Sequence, residues 1–176
     1  MLSARSTILV VILLPLAVAY ADKRQAEERL RYWLQQPDSR GGVFSQGKLD
    51  GVDYRKLLRG AVAYDRASLV ELFRYTADGQ LMGEGAETHC EVLHDLLEHW
   101  GDTRFAAVLS RQSKHVRTAV IADLDYGWQY PAWKSTEFPR TYRLAEHQKI
   151  QMALPAGKTS NQSLEPTAGR HEKLQR

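Results

Sequence analysis

The stretch from Ala86 to Trp100 carries the pattern that most constrains the fold of this chain. Apolar or neutral side chains recur there at intervals of three and four residues, at Ala86, His89, Cys90, Leu93, Leu96, Leu97 and Trp100. At 100° per residue these positions share one face of a helix. The opposite face carries four acids: Glu87, Glu91, Asp95 and Glu98. The pattern predicts an amphipathic helix with one buried face and one solvated face.

Similar spacings predict further helices on both sides of it. They begin near Asp22, at Asp50 or Asp53, after Asp65, after Asp102 and near Ser113. Asp50 or Asp53, Asp65 and Asp102 are able to cap the free backbone N–H groups at the start of their helices. Glycine-rich composition predicts loops over 38–47 and 79–85.

Two segments share a local plan of helix, short turn with an aspartate, and helix. The turns centre on Asp65 and Asp102, which are 37 residues apart. This arrangement predicts an all-α fold, a small stack of antiparallel helical hairpins of the α-solenoid kind. A compact helical bundle fits the same pattern equally well.

The two ends of the chain differ from this helical domain, which we place at 22–154. An apolar run over 8–19 follows Arg5 and ends in Ala19-Tyr20-Ala21, the pattern of a cleavable signal peptide over 1–21. A bilayer span needs about 20 apolar residues, so the run is too short for an anchor. We expect a soluble periplasmic protein with no membrane anchor after cleavage, and a disordered tail over 155–176.

Aromatic residues concentrate in an arm over 126–142 near the end of the domain. They are Tyr126, Trp128, Tyr130, Trp133, Phe138 and Tyr142. Pro131 and Pro139 interrupt the segment, and proline breaks helices, so the composition predicts an irregular extended arm. A last helix is expected over 143–153.

Charge and cysteine content narrow the class of protein. Between 22 and 154 there are 19 basic and 19 acidic residues, so the net positive charge comes from the ends of the chain. A basic surface for nucleic acid is therefore not expected. Cys90 is the single cysteine, so the stability of the domain must come from its core.

The histidine-rich helix is the one place that suggests metal chemistry. Cys90 and His94 lie four residues apart, close enough on a helix to share zinc or copper. A zinc site needs three or four convergent ligands, and the helix supplies two, so we expect no metal and no cofactor. Cys90 lies on the apolar face, whereas His94 and His99 fall among the acids of the face predicted to be solvated.

No arrangement of catalytic residues stands out elsewhere. His89 faces inward, where a hydrogen-bonded buried imidazole is the usual outcome, and no nucleophile frame such as Gly-x-Ser-x-Gly surrounds it. Asp123 and Asp125 are interpreted as solvated acids at a helix end. We therefore expect no enzymatic activity.

These features favour a non-enzymatic module that binds another protein, in one specific version an immunity or inhibitor protein acting in the periplasm. The predicted partner contacts are Trp128, Tyr130, Trp133, Glu91, Asp95 and Glu98. Aromatic side chains are typical anchors of protein interfaces, and an acidic face suits a basic partner. The alternative is a metal-handling protein or enzyme centred on His89, Cys90 and His94.

Overall fold

The computed structural model describes residues 23–126 and 136–145, and every regular element within them is a helix. The helices are α1 (residues 23–35), α2 (Val43–Leu49), α3 (Tyr54–Val62), α4 (Arg66–Asp78), α5 (Glu84–Trp100), α6 (Asp102–Leu109), α7 (Lys114–Tyr126) and α8 (residues 139–145). The predicted all-α class is confirmed. The predicted signal peptide, the tail, and residues 127–135 and 146–153 lie outside the described residues.

Helix α5 is the centre of the fold. Its predicted apolar face is buried except at Ala86, which is half-buried, and Val92, His94, Asp95 and His99 on its other sides are buried as well. Helices α2, α3, α6 and α7 all pack against it, and α4 packs against α3 and α7. The buried apolar side chains form one continuous core. This packing agrees with a compact bundle of helical hairpins.

Two of the predicted aspartate caps are confirmed. The Asp53 carboxylate accepts a hydrogen bond from the Lys56 backbone N–H at 2.9 Å, at the start of α3. The Asp65 carboxylate accepts from the N–H groups of Ala67 and Ser68, each at 3.1 Å, at the start of α4. Such caps contribute about 1 kcal/mol each to helix stability.

The predicted cap at Asp102 is wrong. The N-cap of α6 is Gly101, and Asp102 is the first residue of that helix. The start of α6 has no capping hydrogen bond from a side chain. Its carboxylate instead accepts hydrogen bonds from the backbone N–H groups of Arg140 and Thr141 and from the Thr141 hydroxyl, all at 2.8 Å. Asp102 therefore caps α8, which is distant in sequence, and the two hairpins do not share the same turn.

The expectation of an extended arm over 126–142 is wrong at both described ends. Tyr126 is the last residue of α7, and residues 139–145 are helical. Pro139 begins α8, where a proline ring is tolerated because the first N–H of a helix has no internal partner. Phe138 is buried in the core.

The predicted loop over 38–47 is wrong as well, because α2 occupies its second half. Val43 and Phe44 are buried, and this burial stabilises a helix in spite of the glycines. Gly47 lies inside α2, where a Cβ atom would stand 3.0 Å from the Cβ of Tyr54. The glycine permits close approach of the chain, and so it does not end the helix.

Within residues 23–126 and 136–145, no helix is both long enough and apolar enough to cross a membrane.

Candidate functional site

The acidic side of α5 is divided into a buried half and an exposed half. Asp95 is 5% exposed and Glu98 is half-buried, so the prediction that both lie on a solvated face is wrong. Arg29 of α1 pairs with both: its Nε donates to Asp95 Oδ1 at 2.5 Å, and its Nη2 donates to Glu98. The two acids hold α1 against α5.

Asp95 also positions an aromatic side chain. The Trp33 indole N–H donates to Asp95 Oδ2 at 2.9 Å, so each carboxylate oxygen has a partner on α1. Burial raises the pKa of Asp95, while the bonds from Arg29 and Trp33 act in the opposite direction. Asp95 is thus a structural acid that fixes the orientation of Trp33.

The expected solvated positions of His94 and His99 are also wrong, since both are buried. The last carbonyl groups of a helix have no partner within it, and these rings supply one. His94 Nε2 donates to the Leu124 carbonyl near the end of α7 at 2.7 Å, and His99 Nε2 donates to the Val62 carbonyl at the end of α3 at 2.9 Å. The two histidines therefore help to end neighbouring helices.

His89 is buried, as predicted, and has two hydroxyl partners. Its Nε2 lies 2.8 Å from Thr76 Oγ1, whose own proton is donated to the Leu72 carbonyl, so Nε2 is the donor. Its Nδ1 lies 2.6 Å from the Tyr54 hydroxyl and accepts from it. Burial lowers the pKa of His89 to about 3. The neutral ring is a satisfied core group.

Cys90 is 4% exposed, which confirms its predicted core position. Burial raises the pKa of its thiol to about 12. Asp123 is half-buried instead of solvated; burial raises its pKa to about 6, and a hydrogen bond from Cys90 counteracts this. Within the described part of the chain, no three His, Cys, Asp or Glu side chains are arranged to hold a metal ion.

The exposed half of α5 carries an acidic strip formed by Glu84, Glu87 and Glu91, all of them exposed. Glu91 is thus on the surface, as predicted. Among residues 23–126 and 136–145, no lysine, arginine or histidine forms an ion pair with any of the three. Ser39 Oγ donates to Glu84 at 3.1 Å.

A cavity of about 320 Å³ opens beside this strip. Tyr32 and Trp33 form an aromatic corner in its wall, with ring centres 5.2 Å apart and planes at 69°. Tyr32 is 56% exposed. Glu84 and Thr88 of α5 line the cavity on another side. The cavity wall thus contains two rings inclined at 69° and the Glu84 carboxylate, which forms no ion pair with any described residue.

No protein-family model, no curated protein and no solved structure matches this chain.

The predicted aromatic contacts Trp128, Tyr130 and Trp133 lie outside the described residues. Sequence reasoning did not select Tyr32 or Trp33, although both are visible in α1. The sequence does contain one indication of this corner, the adjacent Tyr32-Trp33 pair. Adjacent side chains on a helix point about 100° apart, so the pair presents two differently oriented rings.

Proposed function

We propose that this chain is a non-enzymatic protein-binding module whose docking surface is the acidic strip together with the aromatic corner. Its partner presents a basic segment. The observation that carries the proposal is the cavity that Glu84 lines together with Tyr32 and Trp33.

Charge supports a basic partner. Glu84 and Glu87 are three residues apart, and Glu87 and Glu91 are four apart, so the carboxylates are neighbours along α5. Like charges at these spacings destabilise a helix by about 0.2–0.5 kcal/mol per pair. Lysine or arginine side chains of a partner would offset this repulsion and would also steer association.

The aromatic corner supports the same choice. A cation over the face of a tyrosine or tryptophan ring gains about 0.5–2 kcal/mol. Trp33 is held in place by its bond to Asp95, so its ring is oriented before binding. A basic side chain in the cavity would meet two ring surfaces and the Glu84 carboxylate together. Pre-organised contacts of this kind lower the entropic cost of association.

Export to the periplasm belongs to the same proposal, and so does the specific version in which the protein is an immunity or inhibitor protein. Both rest on the sequence pattern of residues 1–21 and on the small helical scaffold. Trp128, Tyr130 and Trp133 stay predicted as additional contacts. The alternative centred on His89, Cys90 and His94 has less support, because hydrogen-bond partners occupy both ring nitrogens of His89 and Nε2 of His94.

The test is quantitative capture of proteins from an envelope extract by tagged protein, comparing two double variants. Glu87→Gln with Glu91→Gln removes two charges from the acidic strip. Glu28→Gln with Glu71→Gln removes two exposed charges from α1 and α4 and serves as the matched control.

A specific partner should be enriched by the wild type and by the control. Its affinity for the strip variant should fall by about tenfold, with a weaker dependence on salt. Tyr32→Ala should weaken the same complex. Equal capture by both double variants, or no enrichment over a tag-only sample, would contradict the proposal.

A further inference from the structure

Among the described residues, Tyr64 is the one residue other than glycine whose backbone φ is positive, at +62°. It lies in the turn that ends α3. The Tyr64 N–H donates to the Ala61 carbonyl at 3.1 Å, and the Asp65 N–H donates to the Gly60 carbonyl at 2.9 Å. This is the Schellman pattern, in which the left-handed position is usually glycine. A tyrosine is strained in this conformation, and it persists only where surrounding contacts hold its side chain.

Contacts with the end of α5 hold the Tyr64 ring. It stacks on His99 with ring centres 4.5 Å apart and planes at 21°, and its hydroxyl donates to the His99 carbonyl at 3.0 Å. Two cations also lie near this ring, Lys23 Nζ at 5.3 Å and the Arg104 guanidinium at 5.6 Å from its centre. Both cations therefore lie beside the Tyr64 ring.

Lys23 and Arg104 line a cavity of about 370 Å³ at the C-terminal end of α5. Neither forms an ion pair with a carboxylate in the described part of the chain. Both cations line this cavity, and a bound carboxylate could accept charge-assisted hydrogen bonds from them.

The same cavity contains acceptors. Glu98 and Glu137 line it, and a carboxylate has lone pairs for several donors, so Glu98 is able to accept a further bond while it pairs with Arg29. His99 is also in the wall and is 4% exposed. Since its Nε2 donates to Val62, the neutral ring has Nδ1 as an acceptor, and Nδ1 has no donor among the described residues. An unmet buried acceptor of this kind is destabilising.

The remaining wall is apolar and is formed by Trp100 and Phe138. Small-molecule sites are typically concave, mostly apolar and about 300–1,000 Å³ in volume, with a few convergent polar groups. A single large apolar side chain and a small charged head group would fit a cavity of this size.

We propose that this cavity binds an amino acid zwitterion with a large apolar side chain. Lys23 and Arg104 receive its carboxylate, and Glu98 and Glu137 receive its ammonium group. Trp100 and Phe138 contact its side chain. The cavity is at the opposite end of α5 from Glu84 and the aromatic corner, so this site is independent of the proposed protein-binding surface.

The test is calorimetric or NMR titration of the chain from Asp22 to Arg176, the predicted mature form, with L-phenylalanine and two analogues. L-phenylalanine amide lacks the carboxylate, and 3-phenylpropionate lacks the ammonium group. We expect saturable binding of L-phenylalanine, with both analogues about tenfold weaker. Arg104→Gln should weaken the binding of L-phenylalanine about fivefold or more and leave the binding of the amide unchanged. Arg111→Gln, another exposed arginine, is the matched control and should change neither.

Three results would overturn the proposal. One is the absence of saturable binding of L-phenylalanine. Another is binding of the amide and the propionate as tight as that of L-phenylalanine, since this would indicate an apolar cavity without head-group recognition. The third is an equal effect of Arg104→Gln on L-phenylalanine and on its amide, because a lost carboxylate contact must act on one ligand only.

Discussion

Acidification should destabilise this domain through His89. The ring is fully buried, and burial lowers its pKa to about 3, against about 6.5 for an exposed histidine. Between these two values the unfolded chain binds a proton that the folded chain does not bind. The stabilising contribution of neutral His89 is therefore complete above pH 6.5 and is lost as the pH falls toward 3.

The size of this effect follows from the difference between the pH of the assay and the pKa of His89 in the unfolded chain. At pH 4.5, about two units below the unfolded pKa, the loss amounts to about 3 kcal/mol at 1.36 kcal/mol per unit. Asp123 acts in the opposite direction, because its pKa is raised to about 6 and the folded state keeps its proton longer than the unfolded state does. A comparison with a variant that lacks His89 cancels this second contribution.

The assay is urea unfolding of the wild type and of His89→Gln at pH 7 and pH 4.5. On acidification the wild type should lose about 3 kcal/mol more than the variant, whose amide has no charge to gain. His115→Gln, at an exposed histidine, should behave as the wild type does. NMR of the wild type should show His89 neutral until the domain unfolds. Equal losses in wild type and His89→Gln, or a His89 ring that titrates near pH 6 in the folded protein, would refute the reasoning.

Three further predictions concern other polar groups of the core. The thiol of Cys90 should react slowly with a thiol reagent until denaturant is added, because it is buried with a pKa of about 12; rapid labelling of the native protein would contradict this. Asp95→Ala should lower the free energy of unfolding in urea by about 3 kcal/mol, since Arg29 is left partly unpaired, whereas Glu91→Ala at an exposed site should change it little; equal effects would be evidence against the α1–α5 contact. Asp102→Ala should cost about 1–2 kcal/mol and speed amide hydrogen exchange in α8 while leaving α3 unchanged; unchanged exchange in α8 would show that the cap is unimportant.

Apolar periodicity predicted helices α1 and α3 to α7 and most of the buried face of α5 because these features depend on residues close in sequence. The caps at Asp53 and Asp65 were predictable for the same reason, since a capping side chain bonds to N–H groups two or three positions ahead. The α2 helix was not predictable from its composition, because Val43 and Phe44 gain their stability from contacts with distant helices.

The errors in the candidate site have a related cause. Asp95 faces the side of α5 that periodicity assigns to solvent, but α1 covers that side and supplies Arg29 and Trp33 from more than 60 positions away. Asp102 bonds to Thr141 across a separation of 39 residues. Charged residues are ordinarily assigned to the surface, and a partner that satisfies them inside the fold is visible only in the tertiary structure.

Hydrogen exchange of the complex with its captured partner tests the central claim most directly. If the acidic strip and the aromatic corner form the docking surface, binding should slow amide exchange in the first half of α5 and in the end of α1, around Glu84, Glu87 and Trp33. Exchange at the C-terminal end of α5 and in α6 should stay as it is in the free protein. Protection confined to α6 and α8, with none at the strip, would contradict the proposed docking surface.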